Sequence, residues 1–100
     1  MAIIGIFNAR GDQFQGTVRT VTLDAEVAFV PTEKASDSAP EFRAMAGNAE
    51  IGAAWRKRSQ SGNDYLLVKL DDPSFDKPVV ARLVDTKDGW RLLWSRFRGR

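Results

Sequence analysis

Val21-Thr22-Leu23-Asp24-Ala25-Glu26-Val27-Ala28-Phe29 alternates almost without interruption. Val21, Leu23, Ala25, Val27 and Phe29 fall on one side, and Thr22, Asp24, Glu26 and Ala28 on the other. Successive side chains of an extended chain point to opposite faces, so period two marks a half-buried strand. The same period recurs outward from this stretch. Before it, Phe14, Gly16 and Val18 alternate with Gln13, Gln15, Thr17 and Arg19. The apolar parity switches between Val18 and Val21, so a turn or bulge near Thr20 or Asp24 must absorb the change. After it, Phe42, Ala44 and Ala46 form one run and Ala49, Ile51, Ala53 and Trp55 another. Gly47-Asn48 between them reads as a hairpin turn. Leu66, Val68 and Leu70 follow, then Val79, Ala81 and Leu83, then Trp90 to Phe97 after Lys87-Asp88-Gly89. No window keeps a helical i, i+3, i+4, i+7 apolar stripe with caps at both ends. Thr32 to Ala39, rich in Ser, Asp and Pro, reads as a loop with at most one helical turn. The expectation is seven or eight short strands in one all-β domain spanning residues 1–100. A small twisted antiparallel barrel, OB-like or small-barrel, fits best, and a two-sheet β-sandwich is the alternative. The expected core is Ile4, Ile6, Phe14, Val18, Leu23, Val27, Phe29, Ile51, Trp55, Leu66, Val68, Leu83, Leu92 and Trp94.

Composition narrows the chemistry. The 100 residues are 43% apolar and 28% charged, which is globular. There is no Cys and no His. Disulfides, thiolate nucleophiles, imidazole bases and Cys/His zinc sites are thereby excluded. The net charge of +2 hides an asymmetry. Residues 1–50 hold four basic and seven acidic side chains, whereas residues 51–100 hold eleven and six. A basic region on a nearly neutral chain suits a polyanion binder. The apolar N-terminal stretch Met1 to Phe7 is short, has no basic segment before it, and is followed by Asn8, Arg10 and Asp12. It reads as neither signal peptide nor membrane span. A cytoplasmic location without membrane contact is the expectation.

Few residues offer reactive chemistry. Arg10-Gly11-Asp12 spells an adhesion tripeptide, but Gly and Asp are ordinary turn formers between two strands. Asp71, Asp72 and Asp76 suggest a carboxylate site for a hydrolase or nuclease. Adjacent strand residues point to opposite faces, however, and Asp71-Asp72 stand at a strand end before Pro73, as turn residues do. Lys34, Ser36 and Asp37 match no nucleophile arrangement. The richer stretch is Trp55-Arg56-Lys57-Arg58, then a Ser61-Gly62-Asn63 turn, then Tyr65 and Lys69. Such a hairpin sets cations over phosphates and an aromatic face under a base. Against this, Trp55 shares parity with Ile51 and Ala53, which points it into the core. Arg96 and Arg98 continue the basic track beyond Trp94. The candidate nucleic-acid-binding residues are therefore Arg56, Lys57, Arg58, Tyr65, Lys69, Arg96 and Arg98.

Several blocks resemble a known family. They are Phe7 to Thr22, Phe29 to Lys34, Ser36 to Arg43, Ile51 to Trp55, Ser59, Gly62, Tyr65, Val68 to Phe75, and Trp94-Ser95-Arg96. Together they are similar to the bacterial domain-of-unknown-function family seven hundred and thirty-six, along nearly the whole chain. The resemblance implies a setting on plasmids and integrative conjugative elements, no established activity and no catalytic residues. Asp24 and Glu26 make the second strand, Val21 to Phe29, more acidic than the family pattern, which takes that strand out of any basic surface.

The expected function is thus a non-catalytic module that binds single-stranded nucleic acid, DNA by its setting, with no cofactor, no metal and no small-molecule substrate. The alternative is a protein-interaction or scaffold module whose partner pairs with an exposed sheet edge.

Overall fold

A computed structural model describes residues 2–21, 23–33, 36–73, 75 and 77–94. Every regular element among them is a strand: β1 (Ala2–Arg10), β2 (Gln13–Arg19), β3 (Asp24–Pro31), β4 (Phe42–Ala46), β5 (Ala49–Arg58), β6 (Asp64–Leu70), β7 (Val79–Thr86) and β8 (Gly89–Trp94). Each strand pairs antiparallel with the next, and β8 pairs back onto β1. The sheet is a closed eight-stranded barrel. The barrel expectation holds and the sandwich alternative falls away. Among the described residues the runs found by period two are all strands, although the Val21 run begins only at Asp24, with Val21 fully exposed before it, and residues 95–97 of the last run lie outside the described residues.

The interior is packed. Phe7, Val18, Phe29, Val68, Leu70, Leu83 and Leu92 are almost completely enclosed. Burying each such side chain contributes roughly 1.5–3 kcal/mol. Phe7 and Phe29 lie with ring centroids 5.1 Å apart at the centre. Towards the end that carries the β1–β2 and β5–β6 turns, Phe14 sits edge-on to both Trp90 and Phe42, at 4.7 and 5.7 Å. An apolar lumen within a charged exterior is the reverse of the pattern of an outer-membrane barrel. Among the described residues no helix is long and apolar enough to cross a membrane.

Two expected core residues face outward, and both corrections have one cause. In β1, Ile3 pairs with Leu93 and Gly5 with Leu92, so Ile4 is an extra residue. In β5, Glu50 pairs with Met45 and Gly52 with Ala44, so Ile51 is an extra residue. Each bulge flips the inward parity of the strand beyond it. Ile4 packs at the edge of the core, Phe7 becomes a central residue, and Ile6 is left 56% exposed. Ile51 is buried, Ala54 takes the next inward place, and Trp55 turns out onto the barrel surface. Phe42, Ala44, Leu70 and Ala81 complete the core beyond the expected set. Phe14, Leu23 and Trp94 pack against it while partly buried.

Glycine makes the curvature. A Cβ on Gly16 would collide with the Ile6 carbonyl and lie 2.7 Å from the Phe7 Cα. A Cβ on Gly52 would collide with the Lys69 carbonyl and lie 2.9 Å from the Leu70 Cα. Both obstacles are backbone, which cannot swing aside as a side chain can. Strands in a small barrel must bend and cross closely, and glycine allows it. Gly16→Ala and Gly52→Ala should therefore each cost more than about 3 kcal/mol in urea unfolding, as overpacking against backbone does. Gly47→Ala, in an open turn at φ 63°, should cost only about 1–2 kcal/mol.

Candidate nucleic-acid interface

The outer face of β5 to β8 is built by alternation from an apolar interior. Leu66, Val68 and Leu70 point inward, so Tyr65, Leu67 and Lys69 point outward. Ala81 and Leu83 point inward, so Val80, Arg82 and Val84 point outward. The bulge at Ile51 adds Trp55 and Lys57 to this face. Cross-strand register then sets Trp55, Leu67, Arg82, Leu93 and Ile3 side by side across five strands. Lys57 lies opposite Tyr65 on one side of this row, and Lys69 lies opposite Val80 on the other. From Ala53 to Lys57 and along β6, β7 and β8, the outward positions of the described residues include no carboxylate.

Two aromatic side chains are held in place there. The Arg82 guanidinium carbon stands 5.3 Å from the centroid of the Tyr65 ring, a cation–π distance. The Trp55 indole Nε1 donates to the Ser38 carbonyl at 3.0 Å. That bond ties the β3–β4 connection, residues 32–41, against the face. Asp37, Ser38, Trp55, Lys57, Leu67, Lys69 and Val80 enclose an open hollow of about 350 Å³.

Of the residues expected from the sequence, Lys57, Tyr65 and Lys69 come together on this face. Arg56 does not join them. It pairs with the buried Leu66 and therefore points to the mouth of the barrel, with its guanidinium carbon 5.8 Å from the Phe42 ring centroid. Its backbone N–H donates to Glu41 Oε1 at 3.1 Å. The Arg58 Nε lies 3.2 Å from Asp64 Oδ1, an ion pair across the end of the hairpin. Arg96, Arg98 and Asp76 lie outside the described residues. Trp55 was expected in the core, and Arg82 and Leu93, although on the outer faces of their strands, were not expected in the site. The signal for Trp55 was Gly52, since an isolated glycine within a strand run marks a bulge.

The other motifs resolve as turns. Gly11-Asp12 closes the β1–β2 hairpin. Asp71 is exposed and its N–H donates to the Ile51 carbonyl at 2.6 Å, while the Asp72 carbonyl accepts from Phe75 N–H at 2.8 Å. Among the described residues no group of three or more His, Cys, Asp or Glu side chains could hold a metal ion.

Because Trp55 is a surface residue, Trp55→Ala should leave the fold intact. The loss should be about 1–2 kcal/mol, from one hydrogen bond and partial burial, whereas Leu83→Ala should cost about 2–5 kcal/mol from a core cavity. Chemical unfolding of the two variants beside the parent measures both.

No curated protein and no solved structure matches the chain significantly. A family model does match, over residues 3–97, with the description "Protein of unknown function (DUF736)". That span takes in all eight strands but the first residue of β1, including both bulges and the whole of the outer row, and the chain belongs to this family.

Proposed function

We propose that the protein is a non-catalytic module that binds single-stranded nucleic acid, DNA in the first instance, across the outer face of β5 to β8. The supporting observation is the Trp55–Leu67–Arg82–Leu93 row with Lys57 and Lys69 on its two sides and no carboxylate among its outward positions. Single-strand binders combine cations that track the backbone with aromatic faces on which bases stack, each stack being worth about 1–3 kcal/mol. Tyr65 and Trp55 supply the faces; Lys57, Lys69 and Arg82 supply the charge. Among the described residues neither lysine has an ion-pair partner, so neither must break one to reach a phosphate. In this reading the protein needs no metal or cofactor and works in the bacterial cytoplasm, in the mobile-element setting that the family resemblance implies.

A protein partner is the second reading, favoured by the exposure of Ile3 (60%), Ile6 (56%) and Val80 (53%) beside the same row. Barrel closure pairs every strand on both sides, so such a partner would cover a face and not extend an edge.

Salt separates the two. Affinity for an oligothymidylate should fall with a log–log slope of about −0.7 per phosphate neutralised. Replacing Lys57, Lys69 and Arg82 together by Ser should weaken binding and flatten that slope by about two. The same change at Arg10, Arg19 and Arg43, which removes equal charge from β1, β2 and β4, should leave the slope nearly as it was. Tryptophan fluorescence titration at two salt concentrations reads both. Equal weakening by the two triple variants, or no binding at low salt, would refute the proposal.

A further inference from the structure

Resting on the reading just given, we infer that the hollow beside Trp55 seats one base of the bound strand and selects guanine through the Asp37 carboxylate. In this hollow one acid, Asp37, meets both lysines, whereas a neighbouring hollow sets Glu50 and Asp71 beside Lys69 without Lys57. Trp55 lines it with an aromatic ring, Leu67 and Val80 with apolar side chains, Lys57 and Lys69 with cations, and Asp37 and Ser38 from the β3–β4 connection. Its volume of about 350 Å³ lies at the small end of the range of ligand sites.

A carboxylate in a phosphate-binding tract works against backbone contact, because it repels the ligand's own charge. Its chemistry is to accept hydrogen bonds, through two oxygens side by side. Asp37 makes no side-chain hydrogen bond or ion pair to any described residue, although Lys57 and Lys69 border the same hollow. Its acceptor capacity is therefore unspent. Unpaired bases in single strands are read on their Watson–Crick edges while they stack on aromatic side chains. Guanine alone presents two adjacent donors there, N1–H and the exocyclic N2–H, which match the two oxygens of one carboxylate. Adenine and cytosine each place a ring acceptor beside the amino donor, and thymine places its single donor between two acceptors. Each of these three would set at least one lone pair against the Asp37 oxygens. The Ser38 carbonyl already accepts from Trp55 Nε1, which fixes that aromatic ring relative to the reading group.

The test is a set of thymidine octamers carrying one central dG, dA, dC or deoxyinosine, titrated against the full chain at low salt. The dG octamer should bind about tenfold more tightly than the dA or dC octamer, the discrimination expected of a bidentate contact at an open site. Deoxyinosine lacks the N2 amino group and should lose most of that advantage. Asp37→Asn puts a donor where an acceptor is needed. It should abolish the dG preference while leaving affinity for the all-thymidine octamer the same or slightly higher. Equal binding of all four octamers, a preference for another base, or a dG preference that survives in Asp37→Asn would overturn the inference and leave the wider tract standing. Failure of every octamer to bind would overturn both. Thermal unfolding of Asp37→Asn, expected to match the parent, shows that any loss is one of recognition.

Discussion

Eight short strands close into a ring only where neighbouring backbones are allowed to approach, and in this chain that approach happens over Gly16 and Gly52. The Ile6–Phe7 backbone fills the space a Cβ would take at Gly16, and the Lys69–Leu70 backbone does so at Gly52. Phe7 and Leu70, the residues directly opposite, are among the most completely buried in the molecule. The missing side chains and the buried ones are thus two halves of one arrangement: a bare backbone on one strand makes room for a large side chain on the next. Without it the lumen would be too wide to fill or the ring would stay open.

The surface inherits its character from that interior. Closure requires a bulge in β5, the bulge inverts the strand beyond Ile51, and the inversion brings Trp55 out beside Leu67. The charge asymmetry between the two halves of the sequence becomes an asymmetry between two sides of the barrel. Lys57, Lys69, Arg82 and Arg91 are carried by β5 to β8, whereas Asp24 and Glu26 lie on β3. Because a meander keeps sequence neighbours adjacent in space, a compositional bias along the chain survives as a bias around the circumference.

That correspondence explains what could be read in advance. Period two located the seven strands from β2 to β8, because each has one face on the packed lumen and one in water; β1, whose parity breaks at Ile4, offered only a short apolar stretch. Turns announced themselves through Gly11-Asp12, Gly47-Asn48 and Asp88-Gly89. Tyr65 and Lys69 were found because alternation puts them on the outer side, and Lys57 because it belongs to the cation run Arg56-Lys57-Arg58; its own parity is that of Trp55, and the bulge turns both outward. What escaped was parity across a bulge. Ile4-Gly5 and Ile51-Gly52 are the same dipeptide at the same kind of irregularity, and each conceals a shift of one residue. Past that shift the pattern still alternates, so nothing in Ala53-Ala54-Trp55 warns that inside and outside have been exchanged. Arg56 and Arg58 were misplaced for a different reason: at a strand end the neighbours decide, and Phe42 and Asp64 draw them away.

The pairing of β1 with β8 carries a consequence for how the barrel forms. Seven of its eight strand contacts join sequence neighbours through tight or moderate turns, and each can form as a local hairpin. The eighth joins Ala2 to Trp94 and Phe7 to Trp90, so its contacts span almost the whole chain. Loop-closure entropy falls almost entirely on this one seam. Every other pairing is between sequence neighbours, so the ring is closed by one non-local seam. The seam is therefore the natural place for the ring to zip last and to breathe first, and Leu93 and Ile3, at one end of the outer row, sit directly upon it.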